Sequence, residues 1–316
     1  MAFKNYLEVI AHCDKFPYNV NDDPESPFAR ATAIVFQGHV IGHVLPDVLP
    51  ALKEYNESKS PSPFVIQETI QFNNWVDSFE KRTQVVKELM DTWRENKVMK
   101  ALAGWRDELY PVYGDDSRAD NVAFVMERAA TPLFGISTFG IHINGYSRDA
   151  HTGEKKMWVA RRALTKQTWP GVLDNCVAGG ITYQYSTKET VVKECDEEAS
   201  IPPSIADKAI NAGIVSYYTY TENGLQPETQ YVFDLEIPID FQPTPKDGEV
   251  ECFYLWSMDE VQRSILNNEW KPNCALVAID FMIRHGIITA DNEPDYIDII
   301  CRTHRKLEFP NPRKAN

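Results

Sequence analysis

The chain has 316 residues, enough for one large domain or two of ordinary size. A formal net charge of −14 argues against nucleic acid as a bulk partner, because binding a phosphate backbone needs a basic surface. No apolar run approaches the ~20 residues that cross a bilayer, so no membrane association is expected.

Six cysteines (Cys13, Cys176, Cys195, Cys252, Cys274 and Cys301) are scattered without Cys-x-x-Cys pairs. That pattern fits reduced thiols rather than a disulfide framework or a zinc site. The first eight residues lack the shape of a signal peptide and carry acid early, so a cytoplasmic or nucleocytoplasmic location is expected. Composition says nothing about oligomeric state.

In chain order, residues 31–36 read as a strand, Gln37, Gly38 and His39 as its turn, and 40–44 as a partner strand. Residues 46–55 read as a short helix. Residues 74–94, with Trp75, Phe79, Val85, Val86, Leu89 and Trp93, read as one or more helices. A short extended piece runs to Tyr113. The polar, turn-rich stretch 113–121 predicts a boundary. This gives a small amino-terminal α+β accessory domain over 1–120 and a second domain over 121–316. In the second domain, 141–146 and 157–163 read as antiparallel strands, and 172–178 leads into the pair Gly179-Gly180. Residues 231–237 and 250–256 are further strands. Helices are expected over 257–266, 275–285 and 294–305. The alternation predicts an α/β fold.

The stretch 179–201 carries the strongest chemical signal. Ser186 and Glu189 form a Ser-x-x-Glu capping box, which starts a helix. Glu194, Glu197 and Glu198 then fall at i, i+3 and i+4, on one face. Val192, Cys195 and Ala199 make an apolar stripe on the other side. Like charges so spaced repel unless a cation sits among them. Hard divalent ions such as Mg2+ accept several carboxylates, and a metal-bound phosphate is the natural guest. A merely solvated acidic face is the bland alternative; the glycine pair and the capping box favour the metal face.

This stretch resembles a Nudix box, whose pattern is Gly, five residues, Glu, seven residues, then Arg-Glu-apolar-x-Glu-Glu-x-Gly-apolar. Lys193, Glu194, Cys195, Glu197, Glu198 and Ile201 fall on it. Lys193 replaces the arginine and Ser200 the second glycine. Tyr185 stands where the first glutamate belongs, counting from Gly179; counting from Gly180, the loop is one residue short. With segments 139–146, 157–162 and 166–175 before the box, and 234–238, 247–251 and 271–273 after it, nearly the whole chain is similar to the fungal and plant Nudix family related to thiamin pyrophosphokinase.

The resemblance implies a Nudix α/β/α sandwich for the second domain. It implies Mg2+ or Mn2+ held by Glu194, Glu197 and Glu198, with a carbonyl from Gly179 or Gly180. A further catalytic carboxylate from outside the box is expected from the pair flanking Val250, Glu249 or Glu251, with Glu251 as the candidate; strand spacing puts both on one face. The implied activity is hydrolysis of a small-molecule diphosphate to a monophosphate and phosphate. Thiamin diphosphate, and preferentially its oxidised analogues oxothiamin and oxythiamin diphosphate, are the implied substrates, a role in metabolite damage repair.

On the substrate side, Arg161, Arg162 and Lys166 precede the glycine loop and either attract diphosphate or solubilise a strand end. Trp169 either stacks a heterocycle or covers the core. Tyr185 reads as a loop residue lining the pocket, and His142 as a hydrogen-bonded strand histidine. Two other functions stay open. Asp174-Asn175-Cys176 after Trp169-Pro170-Gly171 resembles isopentenyl diphosphate isomerase, which uses a cysteine there. The altered box positions also allow a non-catalytic module that binds diphosphate metabolites.

Overall fold

The computed structural model describes residues 2–313. The chain opens with helix α1 (Tyr6–Cys13), whose cap Asn5 accepts the Glu8 N–H. Strands β1 (Thr32–Phe36) and β2 (His39–Val44) form the expected hairpin. Its turn uses left-handed backbone at Gln37 (φ 51°) and Gly38 (φ 84°), the twist that tight hairpins favour. Helix α2 (Leu49–Glu57), β3 (Phe64–Ile66), β4 (Ile70–Phe72) and helix α3 (Phe79–Glu95) follow. Ser78 caps α3 by accepting the Lys81 N–H. The helix turns Val85, Val86, Leu89, Met90 and Trp93 inward, the spacing of an amphipathic helix. The sheet order here is β2-β1-β4-β3. A separate antiparallel pair, β5 (Leu109–Tyr113) and β6 (Val122–Glu127), completes this part.

Next come β7 (Thr138–Arg148), β8 (Lys155–Arg162), β9 (Leu173–Asp174) and β10 (Val177–Gly180), then helix α4 (Thr187–Ala199) and the short α5 (Pro203–Ala206). Strands β11 (Ile210–Thr221), β12 (Gly224–Glu236) and β13 (Val250–Ser257) precede helices α6 (Met258–Leu266), α7 (Pro272–Arg284) and α8 (Tyr296–Thr303). The sheet runs β11-β12-β7-β8-β13, with β10 paired to β7 and β9 to β8. Helix α4 lies along β10, while α1, α6, α7 and α8 pack together. This is the α/β/α sandwich expected from the sequence. Helix α7 is apolar nearly all round and buried from Asn273 to Met282. Each fully buried Leu, Ile or Phe there contributes roughly 2 kcal/mol.

The chain divides into two compact units. One takes the chain up to Lys15, Phe139–Tyr217 and Thr229–Lys306; the other takes Phe16–Thr138, Tyr218–Glu228 and the residues from Leu307 on. A single cut at 120 does not match this division. The polar stretch 113–121 is the connection of a hairpin: Gly114 donates to the Asn121 carbonyl at 2.7 Å, and β5 pairs with β6 on either side. Turn chemistry there joins two strands of one sheet, not two domains.

Candidate active site

Helix α4 is built as its sequence dictates. Ser186 Oγ accepts the Glu189 N–H at 3.3 Å, and Glu189 Oε2 accepts the Ser186 N–H at 2.8 Å. The helix ends at Ser200, which takes the left-handed conformation (φ 53°) and donates its hydroxyl to the Thr244 carbonyl. Glycine usually fills that role at no steric cost. The buried side of α4 holds Thr190, Val191, Cys195, Glu198 and Ala199. Two expectations change here. Val191 rather than Val192 belongs to the packed stripe, and Glu198 points inward rather than onto the open face.

The inward turn of Glu198 has a partner. Its Oε2 accepts the Ala178 N–H at 3.0 Å, just ahead of the glycine pair in β10. Burial pushes the Glu198 carboxyl well above its usual range, and the nearby Glu194 adds to that. Burial also pushes the Glu194 carboxyl up, with Glu197 and Glu249 adding to it against the pull of Lys193. Gly179 packs directly on Glu194: a Cβ at Gly179 would lie 2.4 Å from the carboxyl carbon of Glu194. Lys193, the residue standing for arginine, donates to Glu194 Oε1 at 3.0 Å and to Glu197 Oε2 at 2.7 Å. A point charge thus bridges the two carboxylates that a guanidinium fork would otherwise orient. Glu197 is exposed.

The structure separates Glu249 from Glu251. Glu249 sits before β13, and its charge is felt by both Glu194 and Glu198. Its carboxylate pairs with Lys166. Glu251 is exposed, and its charge is felt at Arg161 instead. A register shift between Val250 and Cys252 breaks the strand alternation that would have put both on one face. Geometry therefore favours Glu249 over the expected Glu251 as the carboxylate beside the box. Glu249→Gln should lower turnover by roughly 10-fold or more and Glu251→Gln by less than about 3-fold, the split that steady-state rates on one substrate would check.

Such a cluster suits a hard cation. The charges of Glu194 and Glu249 raise the proton affinity of Glu198, and the charge of Glu249 also raises that of Glu194; oxygen ligands of this kind are what Mg2+ takes. A pH dependence follows. Both box carboxyls bind their protons more tightly in the fold than in the unfolded chain. Without metal, stability should fall as pH rises from about 4.5, the unfolded value, through the raised folded values. Added Mg2+ should therefore raise the melting temperature more at pH 8 than at pH 6. Calorimetry with and without metal at the two pH values checks this; an equal rise at both would refute it.

The expected substrate-side residues fare differently. Arg161 is occupied: Nε donates to the Tyr254 hydroxyl at 3.0 Å and Nη1 to the Gly171 carbonyl at 2.8 Å. It holds the loop 163–172 rather than presenting a free charge to a diphosphate. Lys166 lies in that loop beside Glu249. Trp169 is 46% exposed. Tyr185 is half exposed at the start of α4, with the Lys193 ammonium 5.9 Å from its ring centre. Sequence reasoning did not single out Tyr183, a second exposed aromatic in the same loop.

Two buried features stay outside this chemistry. His142, Asp174 and Cys274 place ligand-type atoms within 4.8 Å of one another. His142 Nδ1 already lies 2.7 Å from Asn175 Oδ1, and Cys274 Sγ donates to Asp174. Burial pushes His142 down to about 4, so it is neutral at physiological pH. Burial would push the Asp174 carboxyl up, but Lys271 and Arg162 together hold it below the usual range. With that charge already taken by two cations, the trio is a hydrogen-bonded core cluster. Cys176, the residue of the isomerase reading, is fully enclosed against Gly145, and burial pushes its thiol well up. With no exposed surface, this thiol is placed as a small packing group of the core.

A profile for a domain of unknown function (DUF4743) matches residues 8–138, ending where β7 begins. An uncharacterized protein of Saccharomyces cerevisiae is 36% identical over 97% of this chain and 92% of its own length. Nudix hydrolase 24, chloroplastic, of Arabidopsis thaliana is 36% identical over 85% of this chain and 71% of its own length. The chain belongs to the Nudix hydrolase family. It is an enzyme of diphosphate bonds, and Nudix hydrolases generally work with divalent cations. A solved Ap4A hydrolase from C. elegans covers 48% of this Nudix chain and 99% of its own, at 9% identity and a TM-score of 0.36. Among the described residues, no helix of this Nudix hydrolase is long and apolar enough to cross a membrane.

Proposed function

We propose that this Nudix hydrolase is a magnesium-dependent enzyme of thiamin-type diphosphates, cleaving them to monophosphate and phosphate with preference for the oxidised analogues. The observation that carries the metal chemistry is the buried Glu198 and the partly buried Glu194, held against Ala178 and Gly179, with the charge of Glu249 felt by both. Glu194, Glu197, Glu198 and the Gly179 carbonyl are the residues to hold the ion. When bound, Mg2+ neutralises diphosphate charge and makes water a better nucleophile near neutral pH. The remaining work falls to the chain. The Ala178 N–H fixes Glu198, and the close glycine leaves room for Glu194. Lys193 sets the separation of Glu194 from Glu197. Glu249 accepts the proton of the attacking water, and its partner Lys166 restrains its carboxylate. Water adds to one phosphorus, the bridging P–O bond breaks, and phosphate and monophosphate leave.

Support for the thiamin class comes from the similarity of nearly the whole chain to that branch of the family, and from the exposed rings of Trp169 and Tyr185, which suit a flat heterocycle. A preference of about 10-fold to 100-fold needs only ~1.4 to 2.8 kcal/mol of differential transition-state binding. The test is kcat/KM for thiamin diphosphate and its oxidised forms beside ADP-ribose and nucleoside diphosphates, in one buffer with Mg2+. The oxidised forms should lead. If ADP-ribose or a nucleotide outperforms every thiamin compound, the substrate class is wrong and only the diphosphate hydrolase stands.

A further inference from the structure

Loop 163–172, between β8 and β9, carries an unusual residue at its tip. Trp169 has φ 52°, a left-handed conformation that residues other than glycine rarely adopt. It also precedes Pro170, and a following proline restricts the backbone further toward extended conformations. Backbone of this kind persists only where the surroundings over-determine it, and it gathers at ligand clamps. The indole it carries is 46% exposed, although large aromatic side chains ordinarily bury most of their surface.

One side chain accounts for the restraint. Arg162 donates from Nε to the Trp169 carbonyl at 2.9 Å, from Nη2 to the Thr168 carbonyl at 3.0 Å, and from Nη1 to Asp174 Oδ2 at 2.7 Å. All three guanidinium nitrogens are engaged. Asp174 is itself fixed in the core: its Oδ1 accepts the Asn175 N–H at 2.9 Å and the Cys274 thiol. The Arg161 bond to the Gly171 carbonyl closes the far end of the loop, and Lys166 ties its near end to Glu249 beside the box. A planar fork is needed to reach a carboxylate and two carbonyls at once; a lysine offers only a point charge.

We infer that Arg162 is a positioning residue for substrate recognition, strapping the loop to Asp174 so that the Trp169 indole stands as a preformed stacking platform for the flat heterocycle of a diphosphate substrate. The inference rests on the proposed diphosphate hydrolase for its ligand class. Pre-organisation matters because a ring already held in place loses no further conformational freedom when the ligand arrives.

The test uses the full chain and two variants, Arg162→Lys and Trp169→Ala. Arg162→Lys keeps a positive charge beside Asp174, so the core pair survives while the fork to the loop is lost. Amide exchange in residues 164–171 should rise by about 10-fold or more in Arg162→Lys, with the melting temperature near that of the parent. Calorimetric binding of thiamin diphosphate should weaken by about 10-fold in both variants, the scale of one stacking contact. Binding of isopentenyl diphosphate, which lacks an aromatic ring, should stay within about 2-fold, and the double variant should be little worse than either single one. Unchanged exchange in the loop would overturn the strap. Equal weakening toward both diphosphates, or parent-like binding of the heterocyclic one, would overturn the recognition role. So would a parent protein that binds neither compound. Failure of the hydrolase reading shows separately, as binding by the parent without Mg2+-dependent phosphate release.

Discussion

Glu198→Gln is expected to lower turnover by roughly 100-fold or more while raising the melting temperature of the metal-free protein at pH 8. The two effects share one cause. Glu198 is buried, accepts a single backbone N–H from Ala178, and lies close enough to Glu194 and Asp174 for their charges to oppose its ionisation. An ionised carboxylate in that position costs stability until a cation compensates it. Glutamine keeps an oxygen to accept the Ala178 N–H but removes the charge, so the apo fold gains and the metal site loses a charged ligand. Steady-state kinetics at saturating Mg2+ and calorimetry without metal read the two halves separately. Glu197→Gln should lower turnover on the same scale but leave the metal-free melting temperature unchanged, because that side chain is exposed. Near-normal rates in either variant would remove that residue from the metal site. A destabilised Glu198→Gln would mean that its negative charge supports the fold.

Gly179→Ala is the second large expected effect. The added methyl would fall 2.4 Å from the Glu194 carboxyl carbon and 2.5 Å from its Cγ, closer than any real carbon contact. Something must shift, and the side chain of Glu194 is softer than the backbone of β10, which pairs with β7 at this point. Glu194 should swing out of place and take a metal ligand with it. Turnover should drop by roughly 100-fold and Mg2+ dependence should move to higher concentration. The melting temperature should change little, since Gly179 lies in a strand at no left-handed φ and alanine costs nothing there by itself. Parallel measurement of rate against Mg2+ concentration and of thermal unfolding checks the claim. A parent-like rate would show that Glu194 has room to spare, and that the glycine serves another purpose.

Local rules settled much of this protein from its sequence. The capping box at Ser186 and the hairpin turn at Gln37-Gly38 each rest on hydrogen bonds or dihedrals within a few residues, so a short window contains their cause. The same holds for the spacing of Glu194, Glu197 and Glu198. Other readings failed because their cause lay elsewhere in the chain. Helix α1 is not legible in a short window because much of its burial comes from α7, which lies far along the sequence. Strand β11 leaves little local signal because its first half is largely exposed and carries no apolar alternation. The stretch 113–121 looked like a linker because turn chemistry is the same whether it joins strands or domains. Glu249 and Glu251 were equivalent by strand period until a bulge in the pairing of β13 with β8 separated them. Arg161 and Arg162 read as free charge because a sequence does not show which carbonyls a loop will turn toward a guanidinium. Types and spacings of chemical groups are written locally. Their burial, and therefore their charge and partners, depends on distant segments folding against them, and only the tertiary structure decides that.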